Sequence, residues 1–374
     1  MKKLLVFHPT IAPYRIDFFN DLSNSFDSNI ALFYRNLKDQ KFRYEEIERK
    51  FIFTPDYFEK SIKFLGREIP VGFIKRLKKY NPDIVLVNEY NESFLAAMLY
   101  RIISKKKYKI ISICDDSADM AKNEKGLHAI ARNKAVRYLD GIVLCNISAQ
   151  KVYQEKYPDI KTYVMPIIQD ERHFFENKKQ TIEWAKTIAE KEHLIGKRVF
   201  LYVGRISPEK NPMYLVKSFF EQHKESSENV LYLIGDCILK NKPYSDEIDD
   251  YVELHHASSY IKRIGRREGE ELKAWFYVGQ VLVLPSIREA FGAVTNEALL
   301  CGNYVMVSSA AGSACLVNNN NGEIINISEP RIDFKNINKN VPQLSTEYID
   351  RKNNKMDNSY GKYMEDLKDW INKL

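Results

Sequence analysis

VLVLPSIREAFGAVTNEALLCG, residues 281 to 302, opens with four apolar residues closed by Pro285. A short continuous apolar run of this kind is how a parallel strand buried on both faces reads. Thr295 to Leu300 are on balance good helix formers, and Gly302 stands where a left-handed residue would end the helix. Strand, loop and helix in that order make a wound α/β unit, and in such sheets ligands collect at the carboxyl edge of the strands. Glu289 falls in the loop at that edge and Glu297 falls inside the helix.

The helix start around Phe291-Gly292-Ala293-Val294 is expected to offer backbone N–H groups and the positive end of a peptide dipole, with Gly292 letting the backbone come close. Both features suit a phosphate. Carboxylates on either side would accept hydrogen bonds from hydroxyl groups, so a ligand with sugars flanking a phosphate fits the pattern. An isolated pair of glutamates is ordinarily a solvated surface, but here a frame surrounds it, PS-x-x-E-x-F-G-x-x-x-x-E-A. That frame, with its Glu289-x7-Glu297 spacing, resembles the retaining GT-B glycosyltransferases of family 4, also called group 1. The resemblance implies that Glu289 faces the transferred sugar near its anomeric carbon and that Glu297 binds the ribose of the nucleotide.

A second motif lies upstream. Val199 to Val203 reads as a strand, followed by Gly204-Arg205-Ile206-Ser207-Pro208-Glu209-Lys210-Asn211. Ser207 as N-cap with Pro208 at the first helical position is a helix-start signature, so Arg205 and Lys210 bracket another strand-to-helix turn. Gly-Arg-x-x-x-x-Lys resembles the family's diphosphate-binding pair, in which Arg holds two oxygens in a fork and Lys acts as a mobile point charge. Ile264-Gly265-Arg266-Arg267 resembles the loop around the nucleotide base. Gly235-Asp236-Cys237 stands where relatives often have Gly-x-Gly. The resemblance thus assigns catalysis to Glu289, Arg205 and Lys210, and donor binding to Gly204, Arg266, Phe291, Gly292, Ala293, Val294 and Glu297.

Composition sets the frame for these motifs. A chain of 374 residues with 44% hydrophobic content is too long for one ordinary core and suggests two domains. No apolar run approaches the ~18 residues of a membrane span, and the start MKKLLVFHPTIAP is interrupted by His8 and Pro9, unlike a signal peptide. Five cysteines without a C-x-x-C spacing read as reduced packed thiols rather than a zinc site. Charge is uneven: residues 1–170 hold 29 Lys+Arg against 21 Asp+Glu, a net +8, and the remainder 28 against 29, a net −1. The basic half points to an anionic partner, a membrane surface or a phosphate-bearing substrate, or to solvated lysine-rich faces.

In that half, Leu4 to Phe7 reads as the first buried strand, delivered by His8 to Arg15 into an amphipathic helix around Ile16, Phe18, Phe19 and Leu22. Pro13, Tyr14 and Arg15 resemble the family's first-strand loop, without the Gly-Gly pair that some members place there. Further strands are expected at Asn29–Tyr34, Ile84–Val87, Lys109–Cys114, Asp140–Cys145 and Tyr163–Pro166, with Ser148 as a helix cap. Phe73 to Tyr80 is a short basic helix that either rests on anionic headgroups or covers the sheet with a lysine-rich outer face. Asp115 and Asp116 stand where many family members have His-Asp; they either read acceptor hydroxyls or cap the next helix.

The expected architecture is α/β of the GT-B type, two facing doubly wound Rossmann-like domains with a cleft between them. Boundaries are 1–168 for an acceptor-side domain, 169–195 for a linker with a connecting helix, 196–345 for a nucleotide-sugar domain, and 346–374 for a C-terminal helical segment that crosses back in relatives. The implied activity is glycosyl transfer from a nucleotide-diphosphate sugar to a saccharide or lipid-linked acceptor in cell-surface polysaccharide or glycolipid synthesis, with retention. No cofactor is implied and no metal, since Arg205, Lys210 and the helix start supply positive charge and Asp115-Asp116 form no D-x-D. Retention could proceed by attack on the face of departure or through a covalent intermediate. The rival readings are a nucleotide-sugar epimerase and a non-catalytic sugar-binding relative of similar fold. Nucleic acid is not expected, because no recognised motif accompanies the charge. The expected location is cytoplasmic, at the inner face of the membrane where an anionic surface is met.

Overall fold

The alternation of apolar runs with amphipathic stretches becomes two separate parallel sheets in the computed structural model, which describes residues 1–36, 43–64, 67–123 and 132–374. Two units divide the chain, Met1–Gln169 with Tyr360–Leu374, and Asp170–Ser359.

In the first unit the strands are β1 (Lys3–His8), β2 (Asp27–Leu32), β3 (Asp56–Tyr57), β4 (Ser61–Phe64), β5 (Arg67–Pro70), β6 (Ile84–Asn88), β7 (Lys109–Cys114), β8 (Gly141–Leu144) and β9 (Thr162–Val164). β4 and β5 form an antiparallel hairpin of their own, and the others form a parallel sheet in the order β3-β2-β1-β6-β7-β8-β9. Leu4 to Phe7 lie opposite Ile84 to Val87, and all eight side chains are buried. A strand covered on both faces has no solvent side, which is why these runs are continuously apolar. The second unit repeats the scheme with β10 (Arg198–Val203), β11 (Asn229–Ile234), β12 (Ile261–Gly265), β13 (Val281–Leu284), β14 (Tyr304–Ser308) and β15 (Gly322–Ile325), in the order β12-β11-β10-β13-β14-β15.

Each order reverses direction once, at β1/β6 and at β10/β13. Loops leaving neighbouring strands at such a point diverge to opposite faces and open a crevice at the carboxyl ends. In the second unit those loops carry Arg205 to Lys210 and Ser286 to Gly292. A third loop leans on the first: a Cβ on Gly235, whose φ is +149°, would stand 1.9 Å from the Gly204 carbonyl oxygen. Gly235 thus holds the place of the first glycine of the Gly-x-Gly turn, and only Cys237 departs from the pattern.

Several expectations shift. β2 begins at Asp27 and ends at Leu32, because Phe33 and Tyr34 donate their N–H groups to His8 and Pro9 at the strand exit. The helix after β8 is capped by Asn146, whose side chain accepts from Ala149 N at 2.7 Å, and not by Ser148. Ser207 and Pro208 start a single 3-10 turn, Pro208–Lys210, without a side-chain cap, and the helix proper is Pro212–Gln222. Within 169–195 the connecting helix runs Lys178–Lys191, preceded by Glu171–Phe174, and both belong to the second unit, where the buried Thr181 hydroxyl meets Glu270. The segment 346–374 divides, with helix Thr346–Arg351 in the second unit and Tyr360–Lys373 in the first. That last helix docks by Tyr163 donating to the Tyr363 carbonyl at 3.0 Å and by Trp370 lying against Gly141. Among the described residues no helix is long and apolar enough to cross a membrane.

Candidate active site

The loops after β10 and β13 are pinned to each other by backbone. Ile287 N donates to the Glu209 carbonyl at 2.9 Å, and the Lys210 ammonium meets the Glu289 carboxylate, although 79 residues separate the two. Both side chains are mostly covered, 14% and 15% exposed. A pair this enclosed is held by geometry as well as charge, because removing either partner would leave the other badly solvated. Arg205 differs: 60% of its side chain is exposed, and its nearest carboxylate is Glu209 at 3.7 Å. Its backbone is anchored, since the buried Tyr202 hydroxyl donates to the Arg205 carbonyl at 2.6 Å. The guanidinium is therefore available to an arriving anion from a fixed base.

Glu289 is braced from the other side by the loop after β14. A parallel bridge joins it to Ala311, Gly312 N donates to its carbonyl at 3.3 Å, and Ser313 N donates to the Phe291 carbonyl at 2.7 Å. The small-residue run Ser308-Ser309-Ala310-Ala311-Gly312-Ser313 at a strand end is the sequence signal for this support, and it had no functional reading. Gly292 turns with φ +91°, and a Cβ there would lie 2.7 Å from Leu284 Cδ2 and 3.0 Å from Ser313 Oγ. Only glycine tolerates that conformation in that space.

The helix begins at Val294, within the stretch read as its start, and runs to Leu300. Thr295, Asn296 and Glu297 donate back to the Gly292 and Ala293 carbonyls, so these amides close the turn rather than face a ligand. Phe291 is buried, which leaves only its backbone for contact. From Thr295 to Leu300, Glu297 alone is not buried, and it marks the helix face turned away from the core. Arg266 is placed by its backbone N–H on Asp236 Oδ1 at 3.2 Å, with its side chain on Glu268. Gly204 sits beneath Gly235 as described.

The first unit sorts its candidates differently. Pro13–Arg15 is a 3-10 turn, with Pro13 exposed and Tyr14 half-buried. Arg15 is buried and bonds Asp115 at 2.5 Å. Asp116 is 3% exposed and receives both Arg132 at 2.6 Å and the Tyr153 hydroxyl at 2.9 Å, so its carboxylate is engaged with the interior. Neither aspartate caps the following helix; Ser117 accepts from Met120 N at 3.2 Å. Asp115 stays partly open.

His8, at the carboxyl end of β1, went unnoticed in the sequence because a lone histidine before a proline carries no pattern. Its Nδ1 donates to the Thr10 carbonyl at 2.6 Å. Burial, helped by the Arg15 cation, lowers its pKa to about 4. The folded value is below the unfolded one of about 6.5, so the unfolded chain binds the extra proton between the two and stability falls as pH drops through that window. The loss should approach roughly 3 kcal/mol. Urea midpoints for the parent and His8→Gln at pH 7 and near pH 4.5 check this, and the acid-dependent drop should shrink in the variant.

Residues 185–361 match the family model for Glycosyl transferases group 1. Over 131 residues the chain is 29% identical to the D-inositol 3-phosphate glycosyltransferase of Pseudarthrobacter chlorophenolicus, a match covering 34% of this chain and 30% of that protein. Over 163 residues it is 24% identical to the lipopolysaccharide 1,2-N-acetylglucosaminetransferase of Salmonella typhimurium, covering 43% of this chain and 42% of that one. The chain thus spans well under half the length of these curated relatives. Among solved structures it resembles Anabaena Alr3699/HepE in complex with UDP, at a TM-score of 0.75 and 15% identity over 100% of both chains. It also resembles the sucrose-phosphate synthase of Thermosynechococcus elongatus, at 0.69 and 13% over 100% and 99%. At such identities the likeness is one of fold, and that fold is the α/β GT-B type with two Rossmann-like units.

Proposed function

We propose that this chain, whose residues 185–361 match Glycosyl transferases group 1, is a glycosyltransferase that takes a sugar from a nucleotide-diphosphate sugar and passes it to an acceptor with retention of configuration. The observation that carries the reading is the meeting of Lys210 and Glu289 at the strand-order reversal of the second sheet, with Arg205 exposed beside them. A cation and a carboxylate drawn from two strand-end loops suit a ligand in which phosphate adjoins a sugar.

Negative charge grows on the departing diphosphate as the glycosidic bond breaks. Arg205 can fork two of its oxygens, and Lys210 adds a compact charge. An ammonium has three donors, so Lys210 can keep Glu289 while reaching a phosphate oxygen. Gripping the phosphate then also sets Glu289 beside the sugar, where its charge favours the cation-like transition state. Attack on the face of departure needs no more than this positioning and charge stabilisation. Glu297 is assigned the ribose, Arg266 the base side, and the turn from Gly292 to Val294 the diphosphate. Asp115 and Tyr14 of the first unit are assigned to a saccharide or lipid-linked acceptor, in cell-surface polysaccharide or glycolipid synthesis at the inner face of a membrane.

The test is a panel of nucleotide sugars and nucleoside diphosphates screened for protection against thermal unfolding. A ligand at 100 times its dissociation constant should add about 2.7 kcal/mol. Protection and turnover should both persist in chelator. Turnover lost in chelator and restored by magnesium would show that the positive charge assigned to Arg205 and Lys210 is insufficient.

A further inference from the structure

We propose that the outer faces of helices Phe73–Tyr80 and Glu92–Ser104 form a docking surface for a bilayer with anionic headgroups. The inference deepens the reading of a lipid-linked acceptor, but it is measured without turnover and so stands or falls separately from glycosyl transfer.

Helix Glu92–Ser104 buries Ser93, Phe94 and Ala97 against the sheet. On its other side Leu95, Leu99, Ile102 and Ile103 are 49%, 48%, 53% and 76% exposed. Their spacing is i, i+4, i+7 and i+8, a single stripe about 12 Å long at 1.5 Å per residue. A helix whose outer face met only water would carry charged residues there. This one has just Glu92 in its first turn and Arg101, and Arg101 is turned onto Asp140 at 2.6 Å. Four branched aliphatics on one helix are thus left about half exposed or more.

What surrounds the stripe selects its occupant. The helix runs directly into Lys105-Lys106-Lys107, all exposed. Helix Phe73–Tyr80 buries Phe73 and Leu77 in the same cluster as Phe94 and Ala97, so the two helices cover one face of the sheet. It turns Lys75, Lys78, Lys79 and the 48% exposed Ile74 outward. The Lys106 ammonium reaches the Asn81 side chain at the end of that helix, which ties the two lysine groups together. Tyr138, 42% exposed, adds an amphipathic ring beside Arg101, whose guanidinium donates to its carbonyl.

An aliphatic stripe with six flanking lysines matches the boundary between acyl chains and acidic headgroups, where apolar side chains enter and ammonium groups stay at the phosphate level. A second copy of the same face would oppose lysine to lysine, which disfavours self-association. The sequence pointed to Phe73–Tyr80 as the basic element; the structure adds the neighbouring helix as the apolar one.

The full chain is sedimented with vesicles of phosphatidylcholine alone and with about one third phosphatidylglycerol, over a range of salt. Binding should be about tenfold or more tighter to the acidic vesicles at low salt and should weaken as salt rises. Leu99→Glu with Ile103→Glu should lower that affinity about tenfold while the thermal midpoint and nucleoside diphosphate binding stay at parent values. Lys105→Gln with Lys106→Gln and Lys107→Gln should remove most of the preference for acidic lipid. Should the glutamate variant fold poorly, Ile103→Trp gives a second reading, with emission shifting to the blue on adding acidic vesicles. Equal binding to both vesicle types, undiminished binding by the glutamate variant, or unshifted emission overturns the proposal. So does a parent dimer that Ile103→Glu converts to monomer, since the face would then belong to a second copy.

Discussion

Glu289→Gln should lower kcat by about 10²- to 10³-fold, roughly 3–4 kcal/mol, while nucleoside diphosphate affinity stays within a few-fold of the parent. The substitution keeps the size of the side chain and most of its hydrogen bonding but removes the charge. If that charge acts chiefly as the glycosidic bond breaks, the ground-state complex hardly feels its loss. The structure sharpens the expectation. Lys210, freed of a carboxylate partner that is itself only 15% exposed, is released toward phosphate, so nucleotide affinity should hold or rise slightly. The bracing by Ala311 and Gly312 is backbone to backbone, so the loop should keep its course. Calorimetry with nucleoside diphosphate and turnover with the donor, both on Glu289→Gln, supply the two numbers. A variant that folds and turns over near the parent rate removes Glu289 from the chemistry.

Lys210→Ala should behave in the opposite way, losing affinity and rate together, with kcat/KM down by about 10³-fold. Two losses combine. The diphosphate forfeits a charge-assisted contact before and during bond breakage, and Glu289 is left enclosed without its cation. Arg205→Ala should weaken both quantities too, but without a fall in stability, because that side chain is 60% exposed and its ion pair with Glu209 is long, 3.7 Å. Thermal midpoints separate the two variants. Equal destabilisation by both, or a Lys210→Ala enzyme with parent nucleotide affinity, would contradict the roles assigned.

How legible the site was depended on how local its causes are. Val281 to Leu284 is a continuous apolar run ended by proline, so the strand, the loop and the placement of Glu289 at its carboxyl edge followed from neighbouring residues alone. The positive φ of Gly302 likewise follows from a helix needing an end. For Asp116 both readings, an acceptor-facing group or a helix cap, overlooked its partners because they come from elsewhere, Arg132 sixteen residues on and Tyr153 thirty-seven. No spacing rule announces such a triad. Asn146 and Ser148 are both competent caps two residues apart, and the choice was made by Asn146 being buried with its amide on the Asp116 carbonyl at 2.9 Å. Residues 169–195 read as a linker with a connecting helix, and the part not legible was that Thr181 and Ala185 of that helix are core positions, with helix Gly269–Val278 lying against them. The stripe on Glu92–Ser104 had no sequence reading at all, since a run so apolar does not announce which of its faces the packed structure leaves uncovered.

In glycosyl transfer a sugar leaves its nucleotide diphosphate and is joined to something else. Proton and phosphorus NMR of the enzyme with a protective nucleotide sugar and a pool of saccharide acceptors, in chelator, measures this directly. The expected result is loss of the phosphorus-coupled anomeric signal, an equal amount of nucleoside diphosphate, and a new glycosidic signal of the same anomeric configuration as the donor. A donor sugar altered while still attached to its diphosphate, with no diphosphate released, would contradict it.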